Sequence, residues 1–312
     1  MRAAFVRGLT AAARQDPRVM LLTSDLGFKI FDDFANEFPG RFLNVGVAES
    51  NMIGVAAGLA LGGMRPFAYS IAPFATLRCL EHVRNDVCYH NLAVTIVGLG
   101  GGYSYGHNGP THHSLEDIAV MRVLPNMSVV CPGDPVEVEP AVGAAAAHGS
   151  PVYLRIGRSG DPVVNSSPVR FEIGRAITLR DGRDCTLIST GNTLPLAVEI
   201  SDRLRSSSFS CRVLNMHTVK PLDEAALHAC AGETRALFTL EEHSRIGGLG
   251  SAVAEWAAMN RISFPLHLFG AEDAFAACTG SQAYLRALCG LTAEHIADTI
   301  AAKLASVHSA DR

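Results

Sequence analysis

The feature that most limits how this chain can fold is a regular alternation of short apolar runs with longer helix-like segments. In the first half, the strand-sized runs resemble buried parallel strands and comprise Val19–Thr23, Ala93–Leu99, Ser128–Cys131 and Val152–Ile156. The helix-like segments comprise Ala3–Ala13, Asn51–Leu61, Thr76–Tyr89 and Pro135–His148. Pro135 suits the first turn of its helix, and Gly149 suits the end. This alternation predicts an α/β fold in which helices cover a mostly parallel sheet.

The alternation stops at residues 157–169, where Gly, Ser, Asp, Asn and Pro cluster without periodicity, as in a linker. It then restarts, with strand-like runs at Cys185–Ser189, Ser210–Asn215 and Arg235–Leu240. The helix-like segments that follow are Leu194–Ser206, Asp223–Ala231, Gly250–Met259 and Thr292–Val307. We therefore predict two three-layer α/β/α domains, at residues 1–160 and 171–312, joined by a linker at 161–170.

Composition narrows the class of protein. The 312 residues carry a formal net charge of −4, which gives no reason to expect binding to nucleic acid or to an anionic membrane. The eight cysteines are dispersed and form no C-x-x-C pair, which argues against a zinc site and fits a reducing compartment. The N-terminus has no apolar signal core, and the apolar runs are too short to span a bilayer. These features predict a soluble cytoplasmic protein.

One carboxylate, Glu49, lies in a run of apolar and small residues from Val45 to Ala60. No Lys or Arg occurs between Arg41 and Arg65. Burying an ionised carboxylate without a partner is costly, so such a group is either neutral or used in chemistry. A plainer interpretation is a carboxylate in the N-cap region of a helix, stabilised by the helix dipole. The spacing alone favours this plainer interpretation.

Two further segments contain residues that could contact a ligand. In Ser70–Leu77, an aromatic residue, Phe74, follows Pro73. In Gly98–Ser114, glycines cluster directly after a predicted strand, which is typical of a backbone that approaches a ligand. The second segment is not a dinucleotide-binding fingerprint, because the third glycine of G-x-G-x-x-G is missing in every register.

These segments resemble the transketolase family of thiamine-diphosphate enzymes. Gly46–Met52 matches the family pattern G-(I/V)-A-E-x-x-M, and Gly109–His112 matches the G-P-T-H part of its loop G-x-D-G-P-T-H-Q. Asn215–Asp223 and Thr239–Ser251 resemble the transketolase C-terminal domain. The resemblance extends from Arg2 to the last helix, and it covers the C-terminal half of a full-length transketolase.

The resemblance implies roles at the cofactor. Glu49 would share a hydrogen bond with N1′ of the aminopyrimidine, which then removes the C2 proton of the cofactor; an apolar pocket favours a protonated carboxyl for this purpose. Phe74 would stack on the aminopyrimidine. Ile71 and Leu77 stand where full-length transketolases often have aromatic residues, which implies a more aliphatic pocket wall. His112 would contact the substrate near the reacting carbon, where an imidazole donates to a developing alkoxide or shuttles a proton.

The resemblance also implies substrate contacts. Arg158 matches a substrate-phosphate arginine, a role that suits a planar guanidinium, and Arg155 is a nearby alternative. Arg2 and Lys29 fall near further anion contacts, with Lys29 in place of a Ser. Asn108 replaces an Asp that reads a hydroxyl of the donor sugar.

Three other positions bear on specificity or stay open. Gly100 occupies the position of a substrate-phosphate His, which together with the changes at Asn108 and Lys29 predicts an unusual sugar substrate. His113 replaces a Gln and is given no role. For His243 two roles stay open: it could face the active site, or it could serve a structural purpose.

One element of these enzymes is absent from the sequence. Thiamine-diphosphate enzymes hold Mg²⁺ and the diphosphate through a G-D-G…N motif on another domain, and no Gly-Asp-Gly occurs here. We therefore expect no metal site on this chain and a separately encoded partner of similar size that carries that domain. The active site would lie between the two proteins, and symmetric pairing would give a heterotetramer.

The function that follows is the C-terminal subunit of a split transketolase, which transfers a two-carbon ketol unit from a ketose or ketose phosphate to an aldose once its partner is bound. One alternative is the beta subunit of a two-oxo-acid dehydrogenase decarboxylase, whose loop usually carries a His-Ser-Gln element. Half of a deoxyxylulose-phosphate synthase and a non-catalytic scaffold are further alternatives. A nicotinamide dehydrogenase is disfavoured because its phosphate fingerprint is missing.

Overall fold

The computed structural model of the chain describes residues 1–158, 160–166 and 168–310, and the side chains up to residue 306. Ser159 of the first predicted domain and Ser167 of the predicted linker lie outside the described residues, as do Asp311 and Arg312 at the end of the second predicted domain. In the first half, the elements in chain order are α1 (Arg2–Gln15), β1 (Val19–Thr23), α2 (Asp32–Glu37), β2 (Phe42–Asn44), α3 (Glu49–Leu61), β3 (Arg65–Ile71), α4 (Ala72–Ala75), α5 (Leu80–His82), β4 (Thr95–Leu99), α6 (Asp117–Arg122), β5 (Ser128–Val130), α7 (Pro135–His148) and β6 (Val152–Ile156).

The second half repeats the alternation. Its elements are β7 (Ile177–Arg180), β8 (Cys185–Ser189), α8 (Leu194–Ser206), β9 (Cys211–Asn215), β10 (Thr218–Lys220), α9 (Glu224–Glu233), β11 (Leu237–Ser244), α10 (Leu249–Met259), β12 (Leu266–Ala271), α11 (Gln282–Leu288) and α12 (Ala293–Ala310).

The strands of the described residues form two sheets. The first sheet has the order β10-β5-β6-β4-β3-β1-β2, and the second has the order β12-β11-β8-β9-β7. All pairings are parallel except β10 with β5 and β7 with β9, which are antiparallel. Because β10 belongs to the second half of the chain but completes the first sheet, the two halves share backbone hydrogen bonds.

Each sheet separates two apolar cores, as a side-chain period of two requires. In β1, Leu21 packs in one core with α1 and α7, while Leu22 packs in the other core with α3. In the second sheet, Leu187 of β8 packs with α8 and α12, and the adjacent Ile188 packs with α10. The prediction of two three-layer α/β/α units is therefore confirmed.

Most predicted elements are present, and the segment after β3 differs. The sequence predicts one helix from Thr76 to Tyr89, but the chain forms the single-turn helices α4 and α5 and then a π-helical turn at Val83–Cys88. Side chains also bond to the backbone here: Thr76 Oγ1 donates to the carbonyl of Ala72 at 2.7 Å, and Cys79 Sγ donates to that of Phe74 at 3.1 Å. Phe74 lies in α4, directly after β3.

Three features of the described residues relate to the predictions from composition. Across residues 1–158, 160–166 and 168–310, no helix is long and apolar enough to cross a membrane. Within the same residues, no three or more His, Cys, Asp or Glu side chains are grouped so that they could hold a metal ion. The eight cysteines are all free thiols.

A buried histidine marks the junction between the halves. His217 lies between β9 and β10, its ring stacks on Phe171 with 3.9 Å between centroids, and its Nδ1 lies 3.0 Å from Thr218 Oγ1. Its Nε2 has no hydrogen-bond partner among the described residues. Burial lowers the pKa of His217 from 6.5 to about 4, so the ring is neutral in the folded protein at neutral pH.

We expect this histidine to make the protein sensitive to acid. Between pH 6.5 and about 4 the unfolded chain binds a proton at His217 that the folded chain does not, so stability falls as the pH falls. The loss attributable to this group between about pH 7.5 and about pH 5 is roughly 2 kcal/mol of unfolding free energy. Urea unfolding of the wild type and His217→Asn at both pH values measures it. Equal losses in the two proteins would contradict the assignment.

Candidate active site

Glu49 is the first residue of α3, and its carboxylate is 4% exposed. The apolar face of α3, which includes Met52, Ile53 and Ala56, packs in a core of the first sheet and so fixes the start of the helix beside β3. Ser70, near the end of β3, places its hydroxyl 3.4 Å from Glu49 Oε1. The carboxylate therefore lies at the carboxyl edge of the sheet, where ligands of open α/β sheets bind.

The structure adds a cation that the sequence analysis missed. Arg78 Nη1 donates to Glu49 Oε2 at 2.7 Å, and the Arg78 side chain is 49% exposed. The same guanidinium lies 4.5 Å from the centroid of the Phe74 ring, within cation–π range. Glu49 is therefore buried with a charged partner, and the pocket around it is less apolar than the local sequence predicts. The position of Arg78 four residues after Phe74 was a signal that could have revealed it.

Phe74 and His112 lie side by side. Phe74 is partly buried in α4, and its ring centroid is 5.1 Å from that of His112, with the rings at 67°. His112 Nδ1 lies 3.0 Å from Thr111 Oγ1. Burial and the neighbouring His113 lower the pKa of His112, so the neutral imidazole predominates at neutral pH and has both a donor and an acceptor nitrogen.

The row of side chains continues to the predicted anion site. The Tyr105 ring lies 6.2 Å from His112 and 4.8 Å from the guanidinium carbon of Arg158, which is exposed. Burial raises the pKa of Tyr105, while Arg158 and Arg2 oppose that rise, so both arginines act on the phenol. Glu49, Phe74, His112 and Arg158 are thus brought into one contiguous row, which we call the site row, by way of Arg78 and Tyr105.

Other predicted residues border the site row or lie apart from it. Ile71 is buried at the end of β3, and Leu77 is 42% exposed in the turn after α4. Asn108 is exposed at the end of a 3₁₀ turn, Gly106–Asn108, in the segment that carries His112. Lys29 is exposed with its ammonium 5.4 Å from the Phe28 ring, and in the described part of the chain no hydrogen bond or ion pair joins it to the site row.

Arg155 requires a correction. It is 3% exposed, its Nε donates to Asp117 at 2.7 Å, and its Nη2 donates to the carbonyls of Ser114 at 2.9 Å and Glu242 at 3.0 Å. A guanidinium that is buried and whose Nε and Nη2 already donate to protein oxygens is not available to a substrate anion. The structure assigns Arg155 to the contact between the two halves, which leaves Arg158 as the exposed arginine of the pair.

The two histidines that the sequence left open, His113 and His243, are both buried and lie within hydrogen-bond distance of backbone atoms. His113 is buried, with Nε2 at 3.3 Å from the carbonyl of Gly106. His243 is fully buried at the end of β11, where Nε2 accepts the backbone N–H of Ala119 at 3.3 Å and Nδ1 lies 2.7 Å from the carbonyl of Ser244. Burial lowers the pKa of His243 to about 4, and its bond to Ala119 ties the two halves together.

Comparisons with known proteins agree with this architecture. Residues 1–160 match the family model described as the transketolase pyrimidine binding domain, and residues 174–296 match the transketolase C-terminal domain. The chain is 39% identical over 274 residues to one of the subunits of apulose-4-phosphate transketolase from Phocaeicola vulgatus, with 87% of each chain covered. It is 40% identical to the 6-deoxy-6-sulfo-D-fructose transketolase subunit of a Clostridium species, covering 95% of this chain and 92% of the relative.

Solved and longer relatives complete the comparison. A structure described as a split gene transketolase, inactive beta4 tetramer, superposes with a TM-score of 0.90 at 39% identity, covering 97% of this chain and 98% of that one. A 1-deoxy-D-xylulose-5-phosphate synthase of Pelotomaculum thermopropionicum is 34% identical over 96% of this chain but only 47% of its own length. From the family models and these relatives, the chain belongs to the transketolase family, in which it corresponds to the C-terminal half of a split transketolase.

Proposed function

We propose that this chain is the catalytic C-terminal subunit of a two-subunit transketolase, which transfers a two-carbon ketol unit from a ketose to an aldose with thiamine diphosphate as cofactor. The observation that supports this most strongly is the site row. It aligns a buried carboxylate, a partly buried aromatic ring, a neutral imidazole and an exposed guanidinium, all drawn from separate segments of the chain.

The residues present fit the pyrimidine half of the cofactor. A flat, hydrogen-bonding ring needs a polar group for its nitrogen and an aromatic face for stacking, which Glu49 and Phe74 supply next to each other through Arg78. Ile71 and Leu77 would complete the wall of the pocket. When bound, thiamine diphosphate supplies the nucleophilic carbon that breaks and makes the carbon–carbon bond. The task of Glu49 is to hold or move a proton at the pyrimidine nitrogen N1′.

The other residues of the site row would act on the substrate. His112, neutral and flanked by two aromatic rings, would donate a hydrogen bond to the substrate oxygen that gains charge. Arg158 would bind the terminal anion of the sugar, with Arg2 nearby and Lys29 as a further contact. Asn108 would read a sugar hydroxyl from the same loop. The names of two relatives mention a phosphorylated and a sulfonated sugar, and both groups suit an arginine site.

A partner subunit would bind the diphosphate and Mg²⁺. The sequence contains no Gly-Asp-Gly, the start of the motif that binds these groups in the family, which supports a separate subunit as their site. The exposed face of α3 also supports a partner subunit. Leu61 is 68% exposed, and a Cβ at Gly54 or Gly58 would meet nothing within 4 Å. A helix whose sole charge is Glu49 is expected to be covered on that face as well. We propose that the partner covers it, in a cytoplasmic heterotetramer with two copies of each subunit.

Ketol transfer by the assembled complex tests the proposal. The subunit would be combined with a candidate partner protein of similar length that carries a Gly-Asp-Gly motif, together with thiamine diphosphate and Mg²⁺. We expect two-carbon transfer between a ketose phosphate and an aldose, with neither subunit active alone. Decarboxylation of branched two-oxo acids would instead favour a dehydrogenase beta subunit.

A second candidate function has one observation in its favour. The deoxyxylulose-phosphate synthase matches 96% of the chain, so condensation of pyruvate with a triose phosphate should be assayed in parallel. Synthase activity without ketol transfer would replace the leading proposal.

Replacing Arg158 tests the anion site. Arg158→Gln removes a charged donor from the exposed end of the site row, and we expect KM for an anionic ketose to rise about 10- to 100-fold with kcat little changed. Arg170→Gln is the control, because Arg170 is also an exposed arginine, 93% exposed beside Glu172. Steady-state kinetics with ionic and uncharged ketoses measure the effect. A KM that rises equally for both ketoses would contradict the role.

A further inference from the structure

Two of the predicted substrate contacts, Asn108 and His112, belong to one closed loop. This loop, residues 100–114, includes Tyr105, Asn108 and His112. Its ends are joined where Gly102 N–H donates to the carbonyl of Ser114 and Ser114 N–H donates back, both at 2.9 Å. The position of His112 therefore depends on what holds the base of the loop.

A buried carboxylate of the second half holds that base. Glu242 of β11 is fully buried, and its Oε1 accepts the backbone N–H of Tyr103 at 2.5 Å. The same carboxylate accepts Gln282 Nε2 at 2.9 and 3.0 Å and Arg286 Nε at 2.6 Å. Gly102, at φ +67°, leaves the space for it, because a Cβ there would lie 2.5 Å from Glu242 Oε1. These bonds are charge-assisted and enclosed, which makes them strong and directional.

The contact continues along the loop. Gln282 Nε2 also lies 3.3 Å from Ser104 Oγ, and the backbone N–H of Gly280 donates to the carbonyl of Gly106 at 3.3 Å. That carbonyl also lies 3.3 Å from His113 Nε2, directly beside His112. The second half thus forms hydrogen bonds to three neighbouring residues of the loop, Tyr103, Ser104 and Gly106. Glu242 is the carboxylate at the centre of these contacts.

We propose that Glu242 is a positioning residue for the reaction: by anchoring the base of loop 100–114, it sets where His112 and Tyr105 stand relative to Phe74. This inference rests on the proposed function for its catalytic consequence. It gives the C-terminal domain a part in the chemistry, beyond assembly, since a residue of that domain determines the geometry of the substrate loop.

The adjacent residue provides a matched control. Glu241 is also a fully buried carboxylate on β11, but it accepts the backbone N–H groups of Leu249 and Gly250 at the start of α10, inside its own half. Glu242→Gln and Glu241→Gln therefore make the same chemical change at adjacent buried positions. Of the two residues, Glu242 contacts the loop. Glu242→Asp, which keeps the charge on a shorter side chain, tests for partial rescue.

Two measurements decide the question. Amide hydrogen exchange of the isolated subunit reports on the loop without any need for activity, and kcat and KM are measured in the assembled complex. For Glu242→Gln we expect exchange of amides 101–114 to accelerate about tenfold or more, and kcat to fall about 10- to 100-fold with a smaller change in KM. Glu241→Gln should leave loop exchange and kcat within about twofold, and Glu242→Asp should recover part of kcat.

The outcomes separate this inference from the proposed function. Unchanged loop exchange in Glu242→Gln, or faster exchange with unchanged kcat, would overturn the positioning role. Equal effects of Glu241→Gln and Glu242→Gln would also overturn it, since they would mark general destabilisation. If Glu242→Gln does not fold, Gln282→Leu in α11 removes a neighbouring contact with the same loop. Normal loop exchange in that variant would count against the proposal. A complex without ketol transfer whose loop still loosens in Glu242→Gln would refute the function and leave the anchor standing.

Discussion

Glu49→Gln is expected to lower ketol transfer by the assembled complex by at least about a hundredfold, the scale typical of a lost acid–base group. The amide keeps the shape of the side chain and can still meet Ser70, but it can neither hold nor release a proton at the pyrimidine nitrogen. It also removes the ion pair with Arg78, which is 2.7 Å long in the free chain. Initial rates at saturating cofactor, with assembly checked by size-exclusion chromatography, measure the effect.

A control substitution separates the loss of a catalytic carboxyl group from the loss of one negative charge. Glu81→Gln changes an exposed glutamate in α5, beyond the segment that holds Phe74 and Arg78, and should leave the rate within about twofold. If Glu49→Gln turns over as fast as Glu81→Gln, the chain acts as a scaffold and the catalytic assignment is wrong.

Asp117→Asn is expected to cost about 3–5 kcal/mol of unfolding free energy, the largest stability effect we foresee for a single substitution. Asp117 and Arg155 are both almost completely inaccessible, and Tyr153 donates to the same carboxylate at 2.5 Å. Although burial favours the neutral acid, Arg155 holds the pKa of Asp117 below its ordinary value. Removing the negative charge leaves the Arg155 guanidinium buried without a counter-charge, at the point where it also binds Ser114 and Glu242.

An exposed ion pair between the same two halves is the comparison. Arg122 and Glu255 are 2.6 Å apart, but Glu255 is 57% exposed, so Glu255→Gln should cost less than about 1 kcal/mol. Urea unfolding of both variants at neutral pH measures the difference. Equal small losses would show that the Arg155–Asp117 pair does not hold the halves together.

The sequence predicted the parts of the fold that depend on local pattern. Val152–Ile156 and Cys185–Ser189 are strands with the predicted bounds, because a strand covered on both faces is a short and mostly apolar run. Pro135–His148 is also correct, since Asp134 caps it and Gly149 ends it in the left-handed region at φ +78°. The family and the fold class are confirmed by the structure and the relatives.

Features that depend on distant partners were not predictable in this way. The strand β10 has three residues and exists because β5 offers its edge from the other half of the chain. The bond from Arg78 to Glu49 joins residues in different segments, so the local pattern around Glu49 looked free of cations. Arg155 and Arg158 could not be told apart by type: Arg155 points from β6 into the junction, whereas Arg158 lies beyond the end of that strand.

The most direct test of the account is a structure of the two subunits assembled with thiamine diphosphate and Mg²⁺. We predict that the pyrimidine nitrogen N1′ lies within hydrogen-bond distance, about 3 Å, of the Glu49 carboxylate, with the diphosphate and the metal ion bound by the partner. A pyrimidine ring placed away from Glu49 and Phe74, or a metal ion bound by this chain, would contradict the central claim.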